Sequence, residues 1–399
     1  MSPTIACVAG RRILEVLAAS GVRTVLLDHE IPLDVALAVD VPVEADLDNW
    51  EATEAALRRV HAVTPVDAVL SVRDSYVPLA GYLAARLGVR GVALHAALNC
   101  HDKARMRRAL AGAGVPNPEF RVIDDPAEAV TSAAEVGFPV VVKRVRDAGG
   151  AGVRLCADVA AVERAVAELS DPDEAVPLLV EQYLDGTEYA VQTVTVDGAT
   201  EVLSILAGHT GPPPRFAETG YDAPDGLAPD QHDELATYAE RVLKALGIDH
   251  SVAHVQLRRT ADGPRVIEVN PRPPGGAITD VTEALSGVNL LQAAVDSALG
   301  RPVRRLLPTA SHVRYRCVVF DQAGVVTFDP AVLDDPPDHA TVELDIEPGD
   351  EVLPVDHVDG GVYGRIVVYG HDDADLDARH TEITKRLALQ VRPIAQEER

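Results

Sequence analysis

Lysine is nearly absent from this 399-residue chain, which holds only Lys103, Lys143, Lys244 and Lys385, so the rest of its 36 basic residues are arginine. Codon bias accounts for the scarcity, but it makes each remaining lysine conspicuous. Positive charge is scarce too: 36 Lys and Arg face 62 Asp and Glu, a formal net charge of −26. Such a surface repels phosphate backbones and anionic lipid, which disfavours general nucleic-acid or membrane-surface binding. An anionic ligand would need a local positive pocket. The four cysteines, Cys7, Cys100, Cys156 and Cys317, never form a Cys-x-x-Cys pair. Their scatter points to neither a zinc site nor a disulfide framework. No uncharged apolar run approaches the ~20 residues needed to cross a bilayer, and the apolar stretch before Arg11 and Arg12 is too short for a signal peptide. A cytoplasmic protein is expected. Neither a Gly-x-Gly-x-x-Gly fingerprint nor a Walker-type glycine–lysine loop is present.

What remains is an ordinary globular composition, 47% apolar and 25% charged, long enough for two or three packed units. The first hundred residues alternate apolar strand-like runs (4–9, 24–27, 67–72, 89–94) with helical ones (13–19, 77–87), a βαβ rhythm that predicts a parallel sheet. An amphipathic helix is expected over 101–114, stopped by Val115-Pro116-Asn117-Pro118. Further strands are expected over 138–143, 178–183 and 189–196, with a helix over 230–246. A hairpin pairs 251–258 with 265–270, followed by short strands and a last helix over 375–389. The fold class is α/β, becoming α+β beyond the first hundred residues.

The sharpest constellation is Gln256 with Glu268-Val269-Asn270-Pro271-Arg272. Glu268 and Asn270 lie two apart on a strand and share a face. A hairpin centred on Asp262 sets Gln256 opposite Glu268. One carboxylate and two amide oxygens then converge, the hard-oxygen set that suits Mg²⁺, with Arg272 beyond to neutralise a transferring phosphoryl oxygen. A polar strand end at the surface is the plainer alternative. Lys143 ends an apolar strand, and the glycine-rich loop 147–153, containing Gly149 and Gly150, can bring backbone N–H groups to phosphates; a solvated strand end and surface turn explain them equally. Lys103 starts a helix, where the dipole prefers an acid. The connection 181–188, from Glu181 to Glu188, can offer backbone bonds to a base and a carboxylate to a sugar, or can be a glycine-containing hairpin turn.

Taken in order, Asp102-Lys103, Phe138-Pro139-Val140-Val141-Val142-Lys143, the glycine loop, 181–188 and Glu268-Val269-Asn270-Pro271-Arg272 resemble the ATP-grasp superfamily. Asn99-Cys100-His101-Asp102-Lys103, Gly114-Val115-Pro116 and Arg272-Pro273-Pro274-Gly275-Gly276 are similar to its carboxylate–amine ligases, particularly the L-amino acid ligases. The resemblance implies an ATP-grasp fold in three units: a Rossmann-like pre-grasp domain (1–100), linker helices with a small lid (101–190), and a large lobe with the metal site and C-terminal part (191–399). It also implies roles. Lys103 and Lys143, with Gly149 and Gly150, contact ATP phosphates; Glu181 and Leu184 line the adenine hinge; Glu188 takes the ribose. Gln256, Glu268 and Asn270 bind Mg²⁺, with Mn²⁺ as the alternative ion, and Arg272 with the N–H groups near Gly275 and Gly276 steadies the acyl phosphate and its oxyanion. Many members carry a carboxylate where Gln256 stands, so the site here has one charge less. The stretch 209–224 faces the acceptor pocket in such ligases, which makes Arg215 a candidate for a substrate carboxylate and Glu218 for an ammonium; a proline-rich surface crossing is the equal alternative. His209 and His254 are candidates for acid–base work or for packing.

The implied reaction joins a carboxylate, an amino acid, to an amine through an acyl phosphate, releasing ADP and phosphate. A carboxylase or another acyl-phosphate enzyme, and an ATP-binding regulatory protein without turnover, are the alternatives. The expected partners are small-molecule carboxylate and amine substrates, and the resemblance implies a homodimer.

Overall fold

The first apolar runs do form strands, β1 (Thr4–Val8), β2 (Arg23–Asp28), β3 (Val41–Glu44) and β4 (Ala68–Leu70). They pair in parallel in the order β3-β2-β1-β4, with helices packed against them. Here the protein is seen as a computed structural model that describes residues 2–146, 152–170, 177–213, 216–224, 226–334, 336–355, 357 and 360–393. β1 is buried along its whole length, as expected of a central parallel strand covered on both faces. The run 89–94 departs from the expectation of a strand. It makes a single parallel bridge, Ala68 with Arg90, and then enters the helix Leu94–His101. A Cβ on Gly91 would lie 2.7 Å from the Val69 carbonyl oxygen, so this close approach needs glycine.

The helix expected over 101–114 is two helices in part. Asp102 leaves helical geometry (φ −119°, ψ 111°), ending Leu94–His101, and its carboxylate accepts the Arg105 N–H at 3.0 Å to cap Lys103–Gly112. Met106 and Leu110 of the second helix sit in one core with Leu235, Tyr238 and Val242 of the helix Pro229–Leu246.

A second sheet follows, antiparallel, with order β5-β8-β6-β7: β5 (Phe120–Ile123), β6 (Val140–Arg144), β7 (Val153–Cys156) and β8 (Leu178–Gln182). Its inner face packs Val140, Val142 and Val180 against Ala133 and Val162 of two helices. The third sheet begins with β9 (Thr187–Val196), β10 (Ala199–Thr210), β11 (Glu218–Ala223), β12 (Ser251–Thr260), β13 (Gly263–Asn270) and β14 (His312–Cys317). Beyond these come β15 (Gly324–Thr327), β16 (Ala340–Leu344), β17 (Glu351–Val352), β18 (Gly364–Gly370) and β19 (Gln390–Arg392). Eight of them form one antiparallel sheet, β13-β12-β9-β10-β11-β14-β18-β16, and β17-β15-β19 form a small one. β8 and β9 are therefore in different sheets, which removes the hairpin-turn reading of 181–188. That segment is a hinge between two layers. Among the described residues no helix is long and apolar enough to cross a membrane.

Candidate functional site

A cavity of about 190 Å³ opens between the two antiparallel sheets, and Lys103, Lys143, Glu181, Leu184, Glu188, Glu218, Gln256 and Glu268 all line it. These side chains come from a helix, several strands and the hinge, and they meet because the hinge 181–188 folds one sheet over the other.

Lys143 is no solvated strand end. Its alternation along β6 sends it inward, where it is buried and ion-paired with Glu181. Glu181 also receives the Arg107 Nε at 2.9 Å. Burial pushes the Glu181 carboxyl up, but Arg107 and Lys143 overcome it and hold it down at about 2. Burial drives the Lys143 ammonium down to about 8, against the attraction of Glu181 and with Arg107 and Lys103 adding repulsion. Both directions follow from two cations sharing one carboxylate in a dry place.

Lys103 reaches across to Glu268, with Nζ 3.1 Å from Oε2. The other Glu268 oxygen accepts from the Asn270 amide at 2.9 Å, so the two side chains share a face. Burial raises the Glu268 carboxyl, but Lys103 and that amide bond bring it below its ordinary range. Gln256 pairs with Glu268 across the ladder, as the hairpin reading requires, though by another route. The tight turn pairs Thr260 with Gly263 and Leu257 with Val266, a register that would set Gln256 opposite Ile267. A bulge at Ile267 adds one residue and delivers Glu268 instead. Arg107 donates to the Ile267 carbonyl at 3.0 Å, so the bulge keeps its acceptor satisfied. The donor set of one carboxylate and two amide oxygens fits Mg²⁺, which takes hard oxygens and shares its shell with water and phosphate.

At the hinge, the Leu184 carbonyl accepts from Arg258 Nη1 at 2.9 Å, and Arg258 Nε and Nη2 lie 3.3 Å from one Glu188 oxygen. The Arg258 guanidinium carbon stands 5.6 Å from the Tyr183 ring centre and 5.2 Å from that of Phe216, two rings stacked 6.0 Å apart. Burial raises the Glu188 carboxyl despite Arg258. Gly186 (φ +145°) passes so close to the Arg259 carbonyl that a Cβ would sit 2.1 Å from its oxygen, so only glycine allows the crossing.

Arg272, Gly275 and Gly276 lie outside the cavity lining, just beyond β13. Arg272 Nε is 3.2 Å from Asp74 of the N-terminal unit. Gly275 and Gly276 are exposed and precede the helix Ile278–Ser286; Gly276 has φ +59° and lies near the Tyr315 hydroxyl. Of the acceptor-side candidates, Glu218 is in the lining, its carboxylate accepting the Tyr221 hydroxyl at 2.6 Å and raised by burial. His209 is not: its Nε2 is 2.7 Å from Asp222, which Arg316 also contacts at 2.9 Å. His254 is buried, 2.9 Å from the Gln192 amide, and burial lowers it to about 4, so it is a neutral packed residue. Gly149, Gly150 and Arg215 lie outside the described residues.

Three residues of this neighbourhood are missing from the sequence reading. Arg107 is four residues after Lys103 on the same helical face, and Arg258 two after Gln256 on the same strand face, so both spacings were available. Asp74 carries no such signal, because only the packing of distant segments brings it to Arg272.

Residues 136–281 match a family model described as an ATP-grasp domain. That stretch is a little over a third of the chain. The chain is 28% identical over 320 residues to the uncharacterised protein y4rH of Sinorhizobium fredii, covering 77% of this chain and 65% of that protein. It is 32% identical over 257 residues to carnosine synthase 1 of Gallus gallus, covering 59% of this chain. The chain spans only 27% of that synthase's length and 65% of y4rH's. A crystal structure of an L-amino acid ligase from Bacillus licheniformis superposes with a TM-score of 0.78 at 22% identity, covering 98% of this chain and 99% of the ligase. The ATP-grasp fold thus extends from the parallel N-terminal sheet, which suits a pre-grasp domain, to the C-terminal strands.

Proposed function

We propose that this protein is an ATP-dependent carboxylate–amine ligase that activates an amino acid as its acyl phosphate and couples it to an amine, releasing ADP and phosphate. The observation that carries the reading is the convergence of Lys103, Lys143, Gln256 and Glu268 on one cavity closed by the 181–188 hinge. The likeness in fold to an L-amino acid ligase and in sequence to carnosine synthases supports it.

In this reading the hinge at Glu181 and Leu184 holds the adenine and Glu188 the ribose hydroxyls. Lys103 and Lys143 meet the phosphates, and Gly149 and Gly150 are assigned to the same group. Gln256, Glu268 and Asn270 hold Mg²⁺, which when bound screens phosphate charge. A carboxylate is inert toward amines because its oxygen is a poor leaving group. Attack of that oxygen on the γ-phosphorus breaks the bond to ADP and forms a carboxylic–phosphoric anhydride, the acyl phosphate; the amine then adds to its carbonyl carbon, loses a proton and expels phosphate through a tetrahedral oxyanion. Arg272, positioned by Asp74, and the N–H groups near Gly275 and Gly276 face that charge. Glu218 takes the ammonium of a substrate and Arg215 a carboxylate. His209 ties β10 to Asp222 of β11 near this loop. A homodimer completes the reading and is checked by sedimentation.

The deciding experiment is Mg²⁺-dependent release of ADP and phosphate across amino acids offered singly and in pairs, with products followed by mass. Release that needs two substrates and yields their sum less one water supports the ligase. Release with bicarbonate alone would replace it with a carboxylase, and nucleotide binding without release under any pair would favour a regulatory protein, the reading to which Gln256 lends weight.

A further inference from the structure

A second cleft, of about 460 Å³, lies in the N-terminal unit and is lined by Ala9, Arg11, Arg12, Asp28, Val72 and Arg73. Its place is dictated by topology. In the order β3-β2-β1-β4 the chain moves from β1 to β2 on one side, and β4 adds on the other. The carboxyl ends of β1 and β4 therefore form a switch point, where open parallel sheets bind ligands. The two turns are built rather than loose. After β1, Ala9 takes φ +50°, uncommon for a residue with a side chain, and Gly10 packs so tightly that a Cβ would meet the Cys7 sulfur at 2.3 Å. After β4, the Ser71 hydroxyl donates to the Val8 carbonyl at 2.8 Å and accepts the Arg73 N–H at 3.1 Å, locking one turn to the other.

In a chain of net charge −26, three arginines converge here. Asp28 neutralises one of them, with its carboxylate 3.1 Å from Arg11. Among the described residues no carboxylate lies within ion-pair distance of Arg12 or Arg73. Arg73 stands over the Tyr76 ring, and Arg12 donates to the Pro274 carbonyl at 2.7 Å. Partial burial and the nearby Arg272 disfavour the charge on Arg12, and Asp280 at longer range favours it only in part. The cleft therefore holds two cations with no close ion-pair partner among the described residues, Arg12 being joined through Pro274 to the loop that carries Arg272.

We propose that this cleft is an oxyanion site, in which Arg12 and Arg73 hold a carboxylate or phosphate group. The ligand is a group on one substrate, remote from the bond being formed; that assignment rests on the ligase reading, whereas anion binding does not. Forked guanidinium donors suit such oxygens geometrically.

Calorimetric titration of the full chain at constant ionic strength tests it, with inorganic phosphate and succinate as separate probes and ADP with Mg²⁺ as a third. The expected result is saturable binding of at least one of the two anions, weakened tenfold or more in Arg12→Ala/Arg73→Ala and restored in part by Arg12→Lys/Arg73→Lys, with ADP affinity unchanged in both. The tighter anion names the group. Absence of saturable anion binding in the unaltered protein, or equal binding by the alanine variant, overturns the proposal; so does binding lost only in Lys143→Met, which would place the anion in the other cleft. Arginine-dependent anion binding without ADP binding would leave the site standing and sink the ligase reading.

Discussion

The Lys103 ammonium lies 3.1 Å from the Glu268 carboxylate, joining the start of a helix to the end of β13 inside the cavity. The group assigned to phosphate and the group assigned to metal neutralise each other while neither ligand is bound. Under the proposed function, loading the site exchanges this ion pair for two new partnerships, so neither charge loses its counter-charge. Removing one partner is then costly: Glu268→Gln is expected to lower stability by about 3 kcal/mol, the scale for breaking a buried pair. ADP release should fall at least a hundredfold. Lys103→Met/Glu268→Gln should be the more stable of the two variants, because it removes both charges of the pair together. Thermal unfolding of all three proteins decides; equal midpoints would show that the pair contributes nothing.

Lys143 sets a pH dependence. Its ammonium, lowered to about 8 from 10.5 by burial, loses its proton in the folded, ligand-free protein before the unfolded chain does. Between those values the unfolded chain binds more protons, so this group's contribution to stability rises with pH across the window. Phosphate binding has the opposite slope, since the neutral amine must take up a proton. ADP affinity should fall as pH rises above about 8, and calorimetry in buffers of different ionisation enthalpy should detect proton uptake. Lys143→Arg should flatten the profile, because arginine stays charged. A flat profile in the unaltered protein would remove Lys143 from the phosphates. Lys143→Met should fold, as Arg107 still pairs with Glu181.

The parallel sheet, the hinge strands and the Gln256–Glu268 pair were legible because side-chain alternation and turn residues are local properties. The bulge at Ile267 was not, and the pair was reached only because the assumed hairpin centre lay half a residue from the real one. Asp102 as a cap between two helices was hidden by a continuous helical pattern around it. The exchange of sheets between Gln182 and Thr187 is a matter of which strands pair at long range, and nothing within 181–188 specifies it. Asp74 and Arg12 reach the loop after β13 only through the packing of the N-terminal unit.

Arg258 combines two duties that substitution can separate. Its ion pair with Glu188 is nearly buried, whereas its stacking on Phe216 engages a partly exposed loop residue. Arg258→Leu keeps the bulk but leaves Glu188 unpaired, and is expected to cost about 3 kcal/mol. Phe216→Ala forfeits a cation–π contact and the stacking on Tyr183 and should cost about 1–2 kcal/mol. If the ring covers the nucleotide, Phe216→Ala still weakens ADP several-fold. Comparing unfolding midpoints with ADP titrations separates the effects, and a Phe216→Ala protein with unchanged affinity would show that the ring does not touch the ligand.

Arg272 is aimed by a residue of another unit. Asp74 sits on the turn after β4, 3.2 Å from the guanidinium, and a second bond runs from Arg272 to the Pro273 carbonyl at 3.1 Å. Asp74→Asn preserves shape and one acceptor while removing the charge that fixes the fork. Displacement of about 1 Å at such a group costs on the order of a hundredfold in rate, so kcat should fall ten- to a hundredfold. Neither residue lines the cavity that Lys103 and Lys143 share, and ADP affinity should therefore hold. Turnover with a substrate pair, read as kcat and KM separately beside an ADP titration, checks the split. Equal losses in kcat and ADP affinity would mean that Asp74 supports the packing of the two units rather than the aim of Arg272.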